Sequence, residues 1–117
     1  MDAAVRFFGY ATRLDLDNYN RNTREGLHIT SIAMAWANIV YGFAGLRSDG
    51  EVLRFTPHLP PRWAELCFSI SYRGSVVQVW MEKGRTHFRL LAGEAVRLMI
   101  CDTLHTLGGE ELVVEEQ

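Results

Sequence analysis

Apolar residues recur at helical spacing through the first 45 residues of the chain. Residues 2–15 follow the i, i+3, i+4 rule of an amphipathic helix, and residues 29–43 follow it again with a wider stripe. The first stripe consists of Ala4, Phe7, Phe8, Ala11 and Leu14, and the second of Ile29, Ile32, Ala33, Trp36, Val40 and Phe43. This pattern predicts a helical hairpin.

Polar residues separate the two stripes and mark their ends. Asn22 is followed three residues later by Glu25, a capping-box-like pair that predicts a second helix beginning near residue 24. Gly42 and Gly45 are the predicted end of that helix.

After Gly45 the apolar period changes to two, which indicates β-strands. The segment ELCFSISYR alternates cleanly, and Asp-Gly, Arg-Gly and Lys-Gly pairs separate it from other strand-like runs. The chain is therefore predicted to be α+β. A helical hairpin over residues 1–45 precedes a β-sandwich of five to seven antiparallel strands, in succession, over residues 46–117.

The wide stripe on the second helix carries more apolar surface than one partner helix can cover. Trp36 is its largest side chain. An uncovered apolar helix face normally has further partners. We expect either self-association through Ile32, Trp36 and Val40, or a larger helical domain around this hairpin.

Composition excludes several classes of protein. The 117 residues suffice for one small core, and a net charge of −2 provides no basic field for nucleic acid or an anionic membrane. The longest apolar run is shorter than a membrane span, and no secretory leader is visible, so we expect a cytoplasmic location. Cys67 and Cys101 lie in strand-like runs and are predicted to be buried free thiols, with a cross-strand disulfide as the alternative.

The stretch NTREGLHIT, residues 22–30, combines a cation, a carboxylate, a glycine and an imidazole at a predicted helix start. A helix N-terminus favours anions, Gly26 permits close approach, and His28 can donate a hydrogen bond. Arg21 and Arg24 can steer an anion or be ordinary solvated charges. Taken without other information, His28 is better explained as a satisfied polar residue at the edge of the core, and Glu25 as a cap partner.

Other candidate sites carry weaker signals. The carboxylates and amide of LDLDN, residues 14–18, lack the spacing of a calcium loop, so turn chemistry is expected there. His58, His87 and His105 are far apart in sequence, and no metal site is predicted. Three aromatic residues of the second half can form either a sugar-stacking platform or packing contacts: Trp63, Tyr72 and Trp80.

Three motifs in order give the sequence a family resemblance. They are TREGLH at residues 23–28, GFAGLR at 42–47 and FTPHLPPRW at 55–63. Together they resemble the end of glycoside hydrolase family 65, over nearly the whole chain. That family contains inverting phosphorylases of maltose, trehalose and kojibiose and some trehalose hydrolases. The resemblance implies that residues 1–45 are the last hairpin of an (α/α)6 barrel.

The resemblance also implies a reaction and a role for His28. Phosphate attacks the anomeric carbon of an α-glucoside with inversion and yields β-glucose 1-phosphate, with no cofactor beyond phosphate as co-substrate. His28 matches a family residue that contacts phosphate together with an upstream Ser, and Gly26 and Arg24 are possible helpers. The general-acid Glu lies upstream in the family, so no catalytic residue is expected in these 117 residues, which should be inactive alone. Expected partners are the remaining barrel, the disaccharide and phosphate. A trehalose-type hydrolase and a non-catalytic carbohydrate-binding or interaction module remain alternatives.

Overall fold

A computed structural model describes residues 2–115 of the chain. Helix α1 spans Asp2–Thr12, a 3-10 turn spans Asn22–Glu25, and helix α2 spans Ile29–Ala37. Helix α2 continues directly into a π-helical segment, Asn38–Phe43. The helical hairpin predicted from the apolar period is therefore present, with a long connection between its helices.

Both helices are shorter than predicted. Helix α1 ends at Thr12, three residues early, and the Thr12 hydroxyl donates to the carbonyl oxygens of Phe8 and Gly9 in its last turn. Helix α2 begins at Ile29 rather than near residue 24, because Asn22 bonds within the preceding loop and does not cap it. The capping-box prediction for Asn22 and Glu25 is wrong for this reason.

Seven strands follow the helices and form two sheets. They are β1 Leu53–Phe55, β2 Glu65–Tyr72, β3 Ser75–Glu82, β4 Arg85–Ala92, β5 Val96–Ile100, β6 Thr103–Leu107 and β7 Leu112–Glu115. One sheet has the order β1-β5-β6 and the other β2-β3-β4-β7. This confirms the predicted α+β class and strand number.

The pairing departs from a succession of antiparallel strands, since β4 pairs with β7 across two intervening strands and β1 does not pair with β2. Strand β1 pairs with β5 in parallel, Leu53 opposite Leu98 and Phe55 opposite Ile100. Arg47, which precedes β1, forms an isolated antiparallel bridge with Arg54 of that strand. Strand β1 therefore forms one edge of the three-stranded sheet.

The main core lies between the two sheets. Strands β3, β4, β1 and β5 contribute side chains with no more than 1% exposure, namely Val77, Val79, Met81, Phe88, Phe55, Leu98 and Ile100. The rings of Phe55 and Phe88, one from each sheet, meet edge to face at 5.2 Å. Such aromatic contacts add specificity to apolar burial.

The end of the helical hairpin joins this core. Val40 is completely buried and Phe43 is 6% exposed, whereas helix α2 itself buries none of its nine residues. The π-helical hydrogen bond from the Ala44 N–H to the Ile39 carbonyl widens the helix where these side chains turn inward. Trp63 packs against Phe8 at 5.6 Å and Phe43 at 4.9 Å, so it connects both helical segments to the strand-rich half.

Two burial predictions are wrong. Val40 cannot contribute to a self-association surface, because it lies in the core. Cys67 and Cys101 are free but exposed: Cys67 points to the open face of β2, and Cys101 lies in a turn with φ +46°. Among residues 2–115, no helix is long and apolar enough to cross a membrane.

Candidate functional site

The candidate site lies in the loop between the helices, residues 13–28, which side chains hold in shape. The Asn22 amide donates to the carbonyl oxygens of Leu14 and Asp17, and its oxygen accepts from the Asn20 N–H. These bonds fold the loop back on itself, as expected for amide side chains that mimic backbone turns.

A second set of bonds fixes Asp17. Arg13 donates to both Asp17 carboxylate oxygens at 2.7 and 2.8 Å, and the Tyr19 hydroxyl donates to the same group at 2.8 Å. Arg13 also lowers the pKa of Asp17 through this contact. Asp17 is thus committed to the loop itself, which agrees with the turn chemistry predicted for residues 14–18.

Asp15 faces the other way and binds His28. The His28 backbone N–H lies 3.0 Å from each Asp15 carboxylate oxygen, and ring atom Nδ1 lies 2.5 Å from Oδ1. The Asp15 side chain is 13% exposed and that of His28 is 29% exposed. One carboxylate therefore holds both the backbone and the ring of His28.

His28 is the residue immediately before helix α2, with φ −89° and ψ 81°. The helix predicted to begin near residue 24 would have placed His28 inside it, but α2 begins one residue after His28. The carbonyl oxygen of His28 accepts from the Ile32 N–H, so it closes the first turn of α2. His28 therefore stands at the N-terminal end of α2, where the first N–H groups have no partner within the helix.

The carboxylate changes the proton affinity of the imidazole. The hydrogen bond that the His28 ring donates to Asp15 raises the pKa of His28 above its ordinary value of 6.5, against a smaller opposing effect of desolvation. The same bond lowers the pKa of Asp15 below its ordinary value of 3.8. The pair therefore favours an imidazolium beside an ionised carboxylate.

The outer nitrogen of His28 is much less constrained. Nε2 lies 3.4 Å from a Glu25 carboxylate oxygen, and the Glu25 side chain is 75% exposed. Arg24 lies beside it in the exposed 3-10 turn. Gly26 follows with φ +87°, and no atom lies within 4 Å of the position a Cβ would take. Nε2 of His28 and the open space at Gly26 thus belong to the same short stretch of chain that leads into α2.

The sequence led us to propose His28, Gly26 and Arg24 as site residues, but it assigned Asp15 only to turn chemistry. No local signal distinguishes Asp15 from Asp17, since both lie in the same polar run. Their partners differ because the loop turns between them, and the Asp15 contact spans 13 residues. Among residues 2–115, no group of three His, Cys, Asp or Glu side chains could hold a metal ion.

The outer face of the four-stranded sheet carries a separate polar cluster. His87 lies between Glu82 at 3.2 Å and Glu111 at 3.1 Å, and Arg89 donates to Glu111 at 2.8 Å. The His87 ring stacks on Trp80 at 4.8 Å. Because Glu111 precedes β7, the cluster fastens that edge strand to β4, and His87 already covers one face of the Trp80 ring.

The other predicted aromatic residues also have structural partners. Trp63 packs on the helices, which supports the packing interpretation over a sugar platform. The Tyr72 hydroxyl donates to the Glu51 carbonyl at 3.3 Å.

Sequence profiles of one family match both halves of the chain. The profile of the glycosyl hydrolase family 65 C-terminal domain matches residues 46–107. The profile of the family 65 central catalytic domain matches residues 1–37.

Individual relatives agree with these profiles. The maltose phosphorylase of Bacillus subtilis (strain 168) is 42% identical over 106 residues, which cover 91% of this chain and 14% of that protein. The α,α-trehalose phosphorylase of Thermoanaerobacter brockii is 38% identical and covers 86% of this chain.

A solved structure named as a kojibiose phosphorylase from the human microbiome superimposes with a TM-score of 0.88 at 37% identity. It covers 98% of this chain, which spans only 15% of that protein. The chain matches a small, C-terminal part of these larger enzymes and belongs to glycosyl hydrolase family 65.

Proposed function

We propose that these residues act as the C-terminal portion of an inverting disaccharide phosphorylase. Residues 1–45 would complete the catalytic barrel, and residues 46–117 would form the C-terminal domain that braces it. The relatives named as maltose and trehalose phosphorylases, each spanning far more chain, support this proposal. The three sugars in the relatives' names share an α-glucosidic bond, so the proposed substrate is an α-linked glucose disaccharide.

In this reaction a phosphate oxygen forms a bond to the anomeric carbon while the bond from that carbon to the glycosidic oxygen breaks. A general-acid carboxyl group donates its proton to the departing sugar oxygen. The family resemblance implies that this carboxyl group lies upstream, so we expect it in the larger part of the enzyme and not in these 117 residues. The products are β-glucose 1-phosphate and the second sugar.

The phosphate role of His28 rests on the contact between Asp15 and the ring nitrogen Nδ1. With Nδ1 engaged, Nε2 faces outward beside a helix N-terminus, and the raised pKa favours a cationic ring. A cation and a helix N-terminus together attract a phosphate dianion. Gly26 leaves room for the anion, and Arg24 adds positive charge nearby.

The exposed face of α2 supports a large helical partner. Ile29 is 74% exposed, Ile32 54% and Trp36 49%. Such a contiguous apolar face is unfavourable in water and is expected to pack against the other barrel helices. The alternative is that the 117-residue chain self-associates through Ile32 and Trp36. Sedimentation at rising protein concentration tests this, because a chain that stays monomeric at high concentration does not self-associate.

The first test is the reading frame that contains these residues. Several hundred preceding codons for a helical barrel would support the proposal, and a start codon at Met1 without them would contradict it.

The second test measures product formation by the complete polypeptide with maltose, trehalose and kojibiose, with and without phosphate. We expect phosphate-dependent β-glucose 1-phosphate, and a KM for phosphate raised about tenfold in His28→Gln. His58→Gln, an exposed histidine in the strand-rich half, is the control. Phosphate-independent release of glucose would instead support a family hydrolase, and an unchanged KM in His28→Gln would remove His28 from the site.

A further inference from the structure

We infer that Asp15 is the positioning residue for His28, holding the ring with Nδ1 occupied and Nε2 directed at the bound anion. The inference rests on the proposed phosphate site and adds a residue that reaches the anion only through His28. Its basis is the set of three contacts that one carboxylate makes to one residue.

Those contacts restrict His28 in two ways. The bond to its backbone N–H, 3.0 Å to each oxygen, fixes where the Cα lies at the start of α2. The 2.5 Å contact to Nδ1 fixes the rotation of the ring. Because a carboxylate only accepts, Nδ1 must carry a proton. In the neutral ring this leaves Nε2 as the acceptor, and in the cation Nε2 is a donor aimed away from Asp15.

Asp15 and Glu25 are the charged groups within ion-pair distance of the ring among the described residues. They have different roles. Asp15 is 13% exposed and makes short contacts, whereas Glu25 is 75% exposed and lies 3.4 Å from Nε2. An anion arriving at Nε2 would displace the Glu25 carboxylate into solvent and leave the Asp15 contact intact. Asp15 is therefore the partner that persists in the bound state.

A purely structural role for Asp15 predicts something else. If the carboxylate only anchored the loop, its loss would change stability without changing the ionisation of the ring. Asp17 offers a matched control, since it is an aspartate of the same loop whose partners are Arg13 and Tyr19. Asp15→Asn and Asp17→Asn remove the same charge two residues apart.

The experiment combines ring NMR with phosphate kinetics. The 117-residue chain, labelled with 15N-histidine, is titrated with pH, and His28 is assigned by its loss in His28→Gln. In wild type we expect Nδ1–H in the neutral form and a pKa above 6.5. In Asp15→Asn we expect a lower pKa and a mixture of tautomers. Asp17→Asn should match wild type.

In the complete enzyme, Asp15→Asn should raise the KM for phosphate about tenfold, the scale of a lost hydrogen bond to a charged group. It should also move the alkaline limb of the pH profile of kcat/KM for phosphate to lower pH. Asp15→Glu, which keeps the charge, should recover part of both. Asp17→Asn should leave both unchanged.

The outcomes separate the two proposals. If His28 titrates alike in wild type and Asp15→Asn, the inference fails even when His28→Gln weakens phosphate binding. If phosphate kinetics are unchanged in both His28→Gln and Asp15→Asn, the phosphate site fails and the inference with it. The wild-type spectrum is decisive even if Asp15→Asn does not fold. A neutral His28 carrying its proton on Nε2 overturns the role of Asp15.

Discussion

Replacing Gly45 by Ala should damage the junction between the helices and the sheets. Gly45 follows the π-helical segment, has φ +63°, and lies against the backbone of Thr56 just after β1. A Cβ at residue 45 would lie 2.9 Å from the Thr56 carbonyl carbon and closer still to its oxygen. Real Cβ atoms do not approach backbone atoms that closely.

The surroundings leave little room for relief. The His58 N–H donates to the Phe43 carbonyl at 2.8 Å, and the Cys101 N–H donates to the Phe55 carbonyl at 3.0 Å. These bonds fix the chain on both sides of Thr56. Any shift of Thr56 would also move Phe55, which is fully buried.

Two costs therefore add. A non-glycine residue in the left-handed region costs about 1–2 kcal/mol, and forcing an extra group into a packed region costs about 1–3 kcal/mol. Gly45→Ala should then lower the free energy of unfolding by about 2–5 kcal/mol. That is a large part of the roughly 5–15 kcal/mol stability of a typical domain.

Gly84→Ala separates the two costs. Gly84 has φ +83° in the turn between β3 and β4, but no atom lies within 4 Å of its Cβ position. This variant should lose only the conformational part, about 1–2 kcal/mol. Urea unfolding of the 117-residue chain, followed by circular dichroism with a common slope, gives both values. Equal losses in the two variants would refute the argument that residue 45 is packed against Thr56.

Two further predictions concern the helices and the loop. Trp63→Ala should speed hydrogen exchange in α1 more than in β3, because Trp63 and Phe43 are the two rings that contact Phe8 of that helix. Trp80→Ala on the outer sheet face is the control, and equal effects of the two variants on α1 would contradict this role. The stabilising effect of the Asp15–His28 pair should depend on pH. Because the pKa of His28 is raised, the stabilisation from its protonated ring is complete below pH 6.5 and is lost as the pH rises through the raised pKa. Because the pKa of Asp15 is lowered, the stabilisation from its ionised carboxylate is complete above pH 3.8 and is lost as the pH falls through the lowered pKa. The difference in melting temperature between wild type and Asp15→Asn should therefore be largest between pH 3.8 and 6.5, and a constant difference would contradict the pairing.

The two halves of the chain differ in how far their apolar side chains are buried. Only the end of the helical segment, around Val40 and Phe43, is buried against the strand-rich half. The rest of α2 exposes its apolar side chains. The sandwich thus has its own core and holds the hairpin at one end, which suits the bracing role proposed for it.

Local sequence determined the elements that depend on neighbouring residues. Alternation in ELCFSISYR predicted β2, whose register with β3 runs without a break from Glu65 to Tyr72. The Arg73-Gly74 and Lys83-Gly84 pairs predicted the two turns, where φ is positive at both glycines. The motifs around His28 and Phe43 indicated the family. The strand and the turns depend on residues that are close together in the sequence, so periodicity and turn chemistry suffice to find them.

Tertiary structure decided the features that depend on distant partners. The parallel pairing of β1 with β5 joins residues more than 40 positions apart, and no local pattern specifies it. Val40 continues the apolar stripe of α2 but is buried, because it lies in the π-helical segment that packs into the core with residues of the sheets. Asp15 and Asp17 have the same side chain and are separated by one residue in the sequence. Only the folding of the loop around Asn22 brings Asp15 to His28 and Asp17 to Arg13, since a hydrogen bond forms where the backbone places its two partners and not where residue type alone permits it.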